Sequence, residues 1–323
     1  MAPTSTSHGS RGRHAFATLL TSSSYVPGAI ALARSLSVHA PSYTLYVLAP
    51  AAVSSSPLSS ILSSSPNVLI RHISPVPNPY RDAHERYKDV FAKLQAWRMH
   101  DVADVVVFLD ADTVVTGDID ELFSRPTGTN MLAAAPDIAA ADLFNAGVMA
   151  FVPDSNVADE LFKLLSTAAL PAYDTGDQGF LNAYFAGWYT SEARYRLPLV
   201  FNAPVELAIR EPAYFQTLWD ARKVRVVHYW GSRKPWHFWR CFDAVNPCGD
   251  GGGGGDGDDE VVDATRVNDA RLAVRQNKLR KLVGDVHFDL LVTWWTTYLG
   301  RDVRVSAADA LRQDDDDDDD DDD

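Results

Sequence analysis

The sequence predicts an α/β fold, a mostly parallel central sheet flanked by helices, and three observations predict it. Short apolar runs at 14–20, 43–49 and 67–73 alternate with longer segments of helical character. Strands separated by helices make βαβ units, and such crossovers favour parallel pairing. The run Val105–Leu109 is apolar on both faces, as in a strand covered on both sides. The chain has 323 residues, 46% of them apolar, enough for a sizeable core.

The elements follow in order. "HAFATLL" (14–20) is the first strand. In "TSSSYVPGAIALARSLSVH", Ser and Thr can cap a helix whose apolar residues recur at helical spacing. "YTLYVLA" (43–49) is the second strand, the Ser-rich "AAVSSSPLSSILSSS" a weak helix or loop, and "NVLIRHI" (67–73) the third strand. "PVPNPYRDAHERY" breaks the pattern with its prolines. "KDVFAKLQAWRMHDV" (88–102) is a helix with Val90, Phe91, Leu94, Trp97 and Met99 as apolar positions. It leads into "VVVFLDADTVV" (105–115), which reads as one buried strand. "MLAAAPD" (131–137) and "FNAGVMAFVP" (144–153) are further strands, and "SNVADELFKLLSTA" (155–168) is a helix with a Ser cap. "DQGFLNAYFAGW" (177–188) opens on an acid, as helix N-termini prefer, and "VRVVHYWG" (224–231) is another strand. The expected organisation is a disordered N-terminus (1–13), one domain (14–248), a flexible Gly/Asp-rich loop (249–260), a helical segment packed on the domain (261–312) and a disordered poly-Asp tail (313–323).

Composition narrows the function classes. The formal net charge is −14, but the run Asp314–Asp323 supplies ten of those charges and leaves −4 on the rest. There is no basic footprint for nucleic acid. Cys241 and Cys248 are too few for a disulfide framework, lack zinc spacing and favour a reducing compartment. With no apolar leader at the N-terminus and no run long enough to span a bilayer, the expected location is cytoplasmic. Nothing opposes a homodimer. No GxGxxG follows the first strand, which argues against a dinucleotide fold.

Asp110 and Asp112 interrupt the greasy run 105–115 with one alanine, Ala111, between them. In open parallel sheets ligands bind beyond the carboxyl ends of strands, where this pair falls. Residues two apart in extended chain share a side, and two carboxylates there repel unless a cation lies between them. A hard divalent ion, Mg²⁺ or Mn²⁺, meets that need and could grip a diphosphate leaving group. The alternative is a turn whose acids are solvated or cap "TGDIDELF". Three more segments carry chemistry: "FNAGVMAF", where Gly147 would let a ligand approach Asn145; "YDTGDQGFLN", with Asp174, Asp177 and Gln178; and "VVHYWGSRKPW", with His228, Gly231 and Lys234.

Taken in order, "FATLLTSSSY", "FAKLQAW", "FLDADTVV", "FNAGVMAF", "GDQGFLN" and "VVHYWGSRKPW" make the chain resemble the family-8 glycosyltransferases, the glycogenin-like group, over roughly residues 14 to 240. The resemblance implies a GT-A type, Rossmann-like domain. It implies a UDP-sugar donor, Mn²⁺ (or Mg²⁺), and transfer with retention of anomeric configuration to a hydroxyl acceptor such as a glycan, polyol or protein. It assigns Asp110, Asp112 and His228 to the metal, with Ala111 between the acids. Gly231 and Lys234 go to the diphosphate, and Leu19, Thr21, Ser22 and Tyr25 to uridine. Lys93 is assigned to the donor and the DxD region, and Asn145, Ala146, Asp174, Asp177 and Gln178 to the donor sugar. Ser22 stands where the family often has Asn. Arg81 and Arg86 are among the candidates for an arginine that helps hold the donor. Asp177, then Asp174, is the candidate carboxylate near the anomeric carbon, with Lys234 supporting the leaving group; a nucleophilic and a same-face route both remain open. Where self-glucosylating members carry their acceptor tyrosine, this chain has residues around Ile209, with Tyr214 the nearest tyrosine. A separate acceptor is therefore expected. "YDTGDQGFLN" also resembles the plant glucuronosyltransferase branch and "KPW" the galactinol synthases, so the donor is UDP-glucose, UDP-galactose or UDP-glucuronate. Two rival classes are a HAD-type phosphatase, which would use the same DxDxT, and an inactive UDP-sugar-binding protein.

Overall fold

The computed structural model describes residues 12–51, 53, 55–80, 83–84, 87–242 and 269–303. The Gly/Asp-rich segment 249–260, the poly-Asp tail, Arg81, Arg86 and Cys248 lie outside the described residues. The strands are β1 (His14–Leu19), β2 (Thr44–Pro50), β3 (Val68–Ile73), β4 (Val105–Leu109), β5 (Thr113–Val115), β6 (Ala133–Pro136), β7 (Phe144–Phe151), β8 (Ala203–Pro204) and β9 (Val226–His228). The α-helices are α1 (Val26–His39), α2 (Ser55–Leu62), α3 (Ser155–Ser166), α4 (Asp177–Tyr184), α5 (Val205–Arg210), α6 (Pro212–Asp220), α7 (Asp269–Val283) and α8 (Asp285–Leu299).

The main sheet has the order β3-β2-β1-β4-β7-β6. Its first half is parallel, as helical crossovers between β1, β2 and β3 require. Its second half is antiparallel: β7 runs against β4, and β6 against β7. Residues 137–143 between β6 and β7 hold no helix, and so short a link can only reverse the chain. The sheet is thus mixed, with its parallel part on one side.

The helix expected over 88–102 forms as a 3₁₀ helix, Val90–Asp101. Phe91, Leu94 and Trp97 are fully buried and recur every three residues, the period of a 3₁₀ turn. Trp97 stacks on Phe151 of β7 with ring centroids 4.0 Å apart. The run 105–115 is not one strand. After Leu109 the chain turns, with the Thr113 N–H and hydroxyl both donating to Asp110 O, at 3.0 and 2.8 Å. β5 then leaves the main sheet and joins a small one ordered β5-β9-β8.

A second apolar core forms around that small sheet. Phe215, Val227, Tyr229, Trp236, Trp294 and Trp295 are all buried in it. α8 supplies the two last-named tryptophans. Its Trp295 Nε1 donates to Pro235 O at 3.1 Å, and Tyr229 Oη donates to Leu290 O at 2.7 Å. The C-terminal helices therefore brace the segment that follows β9. Among the described residues no helix is long and apolar enough to cross a membrane.

Candidate functional site

The site gathers at the carboxyl ends of β1 and β4, where a mixed sheet of this kind opens toward ligand. The turn after β4 sets it. Asp110 and Asp112 owe their shared side to the turn at 110–113, not to an extended strand. α1 can approach because it carries Gly28. A Cβ there would run into Ala111 O and the Trp236 ring.

β9 brings the third group. It pairs antiparallel with β5, setting His228 opposite Thr113, and the Tyr229 N–H donates to Asp112 O at 2.9 Å. His228 Nε2 lies 3.3 Å from Asp112 Oδ1 and 3.9 Å from Asp110 Oδ2. One ligating atom from each of Asp110, Asp112 and His228 falls within 4.8 Å of the others. Two carboxylate oxygens and an imidazole nitrogen could hold Mn²⁺ or Mg²⁺, the first more readily because imidazole suits it.

Two buried lysines complete the electrostatics. Lys93 Nζ sits 3.0 Å from Asp110 Oδ1 and 2.5 Å from Asp177 Oδ2, and donates to Ala146 O at 3.2 Å. Lys234 Nζ sits 2.5 Å from Asp112 Oδ2 and donates to Tyr229 O at 3.0 Å. Burial opposes the charge on each ammonium, but the facing carboxylates outweigh it and hold both above the usual lysine range. The two acids differ. Burial pushes the Asp110 carboxyl up, and Asp112 adds repulsion that Lys93 and His228 do not cancel. Burial acts the same way on Asp112, but Lys234 and His228 outweigh it and hold that carboxyl well below the ordinary range.

The other expected residues fall around this centre. Asp177 is buried at the first turn of α4, against Lys93. Asp174 accepts from the Gly176 and Gly179 N–H groups through Oδ1, at 2.9 and 3.0 Å, and so ties down the loop before α4. Burial raises its carboxyl, those two N–H bonds only partly offsetting it. Gln178 accepts from the Ala146 N–H and donates to Asp137 and Tyr173, a network that positions Ala146. Leu19, Thr21, Ser22 and Tyr25 line the exit from β1; Ser22 Oγ caps the turn at Ser23–Tyr25 by accepting from the Ser24 N–H. The Tyr25 ring lies 5.5 Å from Lys234 Nζ. Gly231 takes a φ of +89°, open to glycine, where the chain bends toward Lys234.

Asn145 and Gly147 also make contacts within the protein. The group that approaches Gly147 closely is the His228 ring, which a Cβ at 147 would strike. Asn145 is buried, and its Oδ1 accepts from the Gly147 N–H and from Asn202 Nδ2. Gly28, Asn202 and Asp137 escaped the sequence reading. Nothing local in "FNAP" marks Asn202, whose partners lie far away in the chain.

A family model described as Glycosyl transferase family 8 matches residues 17–240. Glycogenin-1 of Mus musculus is 32% identical over 234 residues, covering 69% of this chain and 66% of that protein. A protein of Arabidopsis thaliana named putative UDP-glucuronate:xylan alpha-glucuronosyltransferase 5 is 31% identical over 232 residues, covering 72% of this chain and 38% of that one. The chain thus spans less than two thirds of either relative's length. Among solved structures, the apo WbbM bifunctional glycosyltransferase superposes with a TM-score of 0.51 at 23% identity, covering 70% of this chain and 47% of that one. That likeness supports the GT-A type α/β fold.

Proposed function

The chain belongs to glycosyl transferase family 8, and from that premise we propose that it is a retaining hexosyltransferase that moves a hexosyl group from a UDP-sugar, UDP-glucose first among them, to a hydroxyl acceptor with Mn²⁺ or Mg²⁺. The observation that carries this reading is the convergence of Asp110, Asp112 and His228 beside two buried lysines. A bound cation would supply positive charge to the diphosphate as it leaves.

The chain's own residues do the rest. Asp110, Asp112 and His228 would hold the ion. Lys234, desolvated and firmly charged, stabilises the phosphate oxygens of the departing UDP. Lys93 fixes Asp177 relative to the turn at 110–113, so that the Asp177 carboxylate faces the anomeric carbon as C1–O breaks toward an oxocarbenium-like state. Asp174 holds the loop and offers Oδ2 to a sugar hydroxyl. Leu19, Thr21, Ser22 and Tyr25 receive the uridine, and Gly231 lets the backbone approach the diphosphate. Family membership sets the phosphatase alternative aside.

The acceptor is a separate molecule. Ile209, about half exposed on α5, stands near the position where self-glucosylating members carry a tyrosine, and Tyr214 belongs to the next helix, α6. The test is a UDP-release screen across UDP-glucose, UDP-galactose and UDP-glucuronate, with and without Mn²⁺, followed by intact mass of the protein. Metal-dependent release from one donor is expected. No release from any donor overturns the enzyme reading, and mass increments in hexose steps overturn the separate acceptor.

A further inference from the structure

His228 faces the carboxylate pair through Nε2 alone. A ring nitrogen ligates only when unprotonated, so a neutral His228 serves the site only with its proton on Nδ1. A chain of hydrogen bonds dictates that outcome, and its polarity starts at a backbone amide. The Gly147 N–H can only donate, so the Asn145 side-chain atom 2.9 Å from it is the oxygen, Oδ1. The same oxygen lies 2.8 Å from the Asn202 side chain, which must present Nδ2 there. Asn202 Oδ1 is thereby turned toward His228 Nδ1, 2.9 Å away. An amide oxygen only accepts, so Nδ1 carries the proton and donates it. Asn145, Asn202 and His228 are 7%, 3% and 4% exposed, so water does not substitute for a lost partner. Gly147 leaves the room that the imidazole occupies.

We propose that Asn202, oriented by Asn145, is a positioning residue that sets the tautomer and ring orientation of His228 toward a divalent cation. The proposal rests on the reading of Asp110, Asp112 and His228 as the cation site. Outer partners of ligating histidines are worth 10–100-fold in metal affinity as a general rule. The measurement is Mn²⁺ binding by the full chain in the presence of UDP, followed by the electron paramagnetic resonance of free Mn²⁺. Asn202→Leu keeps the volume and removes the acceptor, and should weaken binding by roughly 10–100-fold. Asn202→Gln keeps both the acceptor for Nδ1–H and the donor to Asn145 Oδ1 and should retain more of the affinity than Leu. A space-filling role would be served as well by Leu, so Leu at wild-type affinity, or Gln as weak as Leu, overturns the proposal. A wild-type chain that binds no Mn²⁺ overturns the underlying cation site instead, and the proposal with it. Should either variant fail to fold, long-range ¹H–¹⁵N correlation on the Zn²⁺-loaded wild-type chain reads the ring directly. A protonated Nδ1 with a bare Nε2 is expected, and an Nε2–H tautomer or an imidazolium refutes it.

Discussion

Asp110 and Asp112 stand two residues apart and are perturbed in opposite directions, so neutralising them should have opposite effects. Asp112 is stabilised as a carboxylate by Lys234 and His228. Asp112→Asn breaks a buried pair and should cost about 3–5 kcal/mol, seen as a lower midpoint in urea. The raised Asp110 carboxyl means that the fold binds that proton more tightly than the unfolded chain does. Wild-type stability from this group is therefore greatest below the unfolded value and is lost as pH rises through the folded one. Asp110→Asn, measured in chelator, should melt higher than wild type at neutral pH, and the gain should fade as pH falls through that window. Lys93→Met leaves Asp110 and Asp177 facing each other without a cation, and a loss of about 3–5 kcal/mol is expected in the same titration. The acids, His228 and Lys234 were legible because each lies in a short segment whose neighbours constrain it. Asn202 was not, because its role exists only through Asn145 and His228, 57 and 26 residues away.

At the scale of elements, the sequence told strand from helix well, because apolar runs bounded by Ser, Pro and Gly mark their own ends. It failed where the answer depends on a partner. Nothing within "VVVFLDADTVV" says that its last residues pair with β9 and leave β4. The antiparallel half of the main sheet was hidden for the same reason: pairing direction is decided between strands. The period of three in Phe91, Leu94 and Trp97 could have been read as 3₁₀ but fits an α-helix nearly as well. The fit of α1 against the turn at 110–113 gives a test. Gly28→Ala puts a methyl against Ala111 O and Trp236. It should lower stability by about 1–3 kcal/mol despite the better helix propensity of alanine, and should weaken Mn²⁺ binding by shifting the turn. Unchanged melting and unchanged Mn²⁺ affinity would show that the helix moves aside.

At the scale of the molecule, the segment bearing Lys234 runs into the second core, where α8 holds it. Trp295→Phe removes the bond to Pro235 O and leaves that carbonyl buried. A loss of about 1–3 kcal/mol is expected, together with an equal fall in kcat and kcat/KM, since Lys234 loosens against the departing diphosphate. A higher KM at unchanged kcat would assign the segment to ground-state binding instead. The charge inventory of the site has a consequence for the order of arrival. Three carboxylates, Asp110, Asp112 and Asp177, face two ammonium groups, Lys93 and Lys234. With His228 neutral the pocket is therefore one charge negative, and it turns away a bare diphosphate. A divalent ion reverses the sign to one positive. Nucleotide should thus follow the ion or travel with it. Calorimetry of UDP binding should show opposite salt dependences: weak binding that improves with salt in chelator, and strong binding that declines with salt once Mn²⁺ is present.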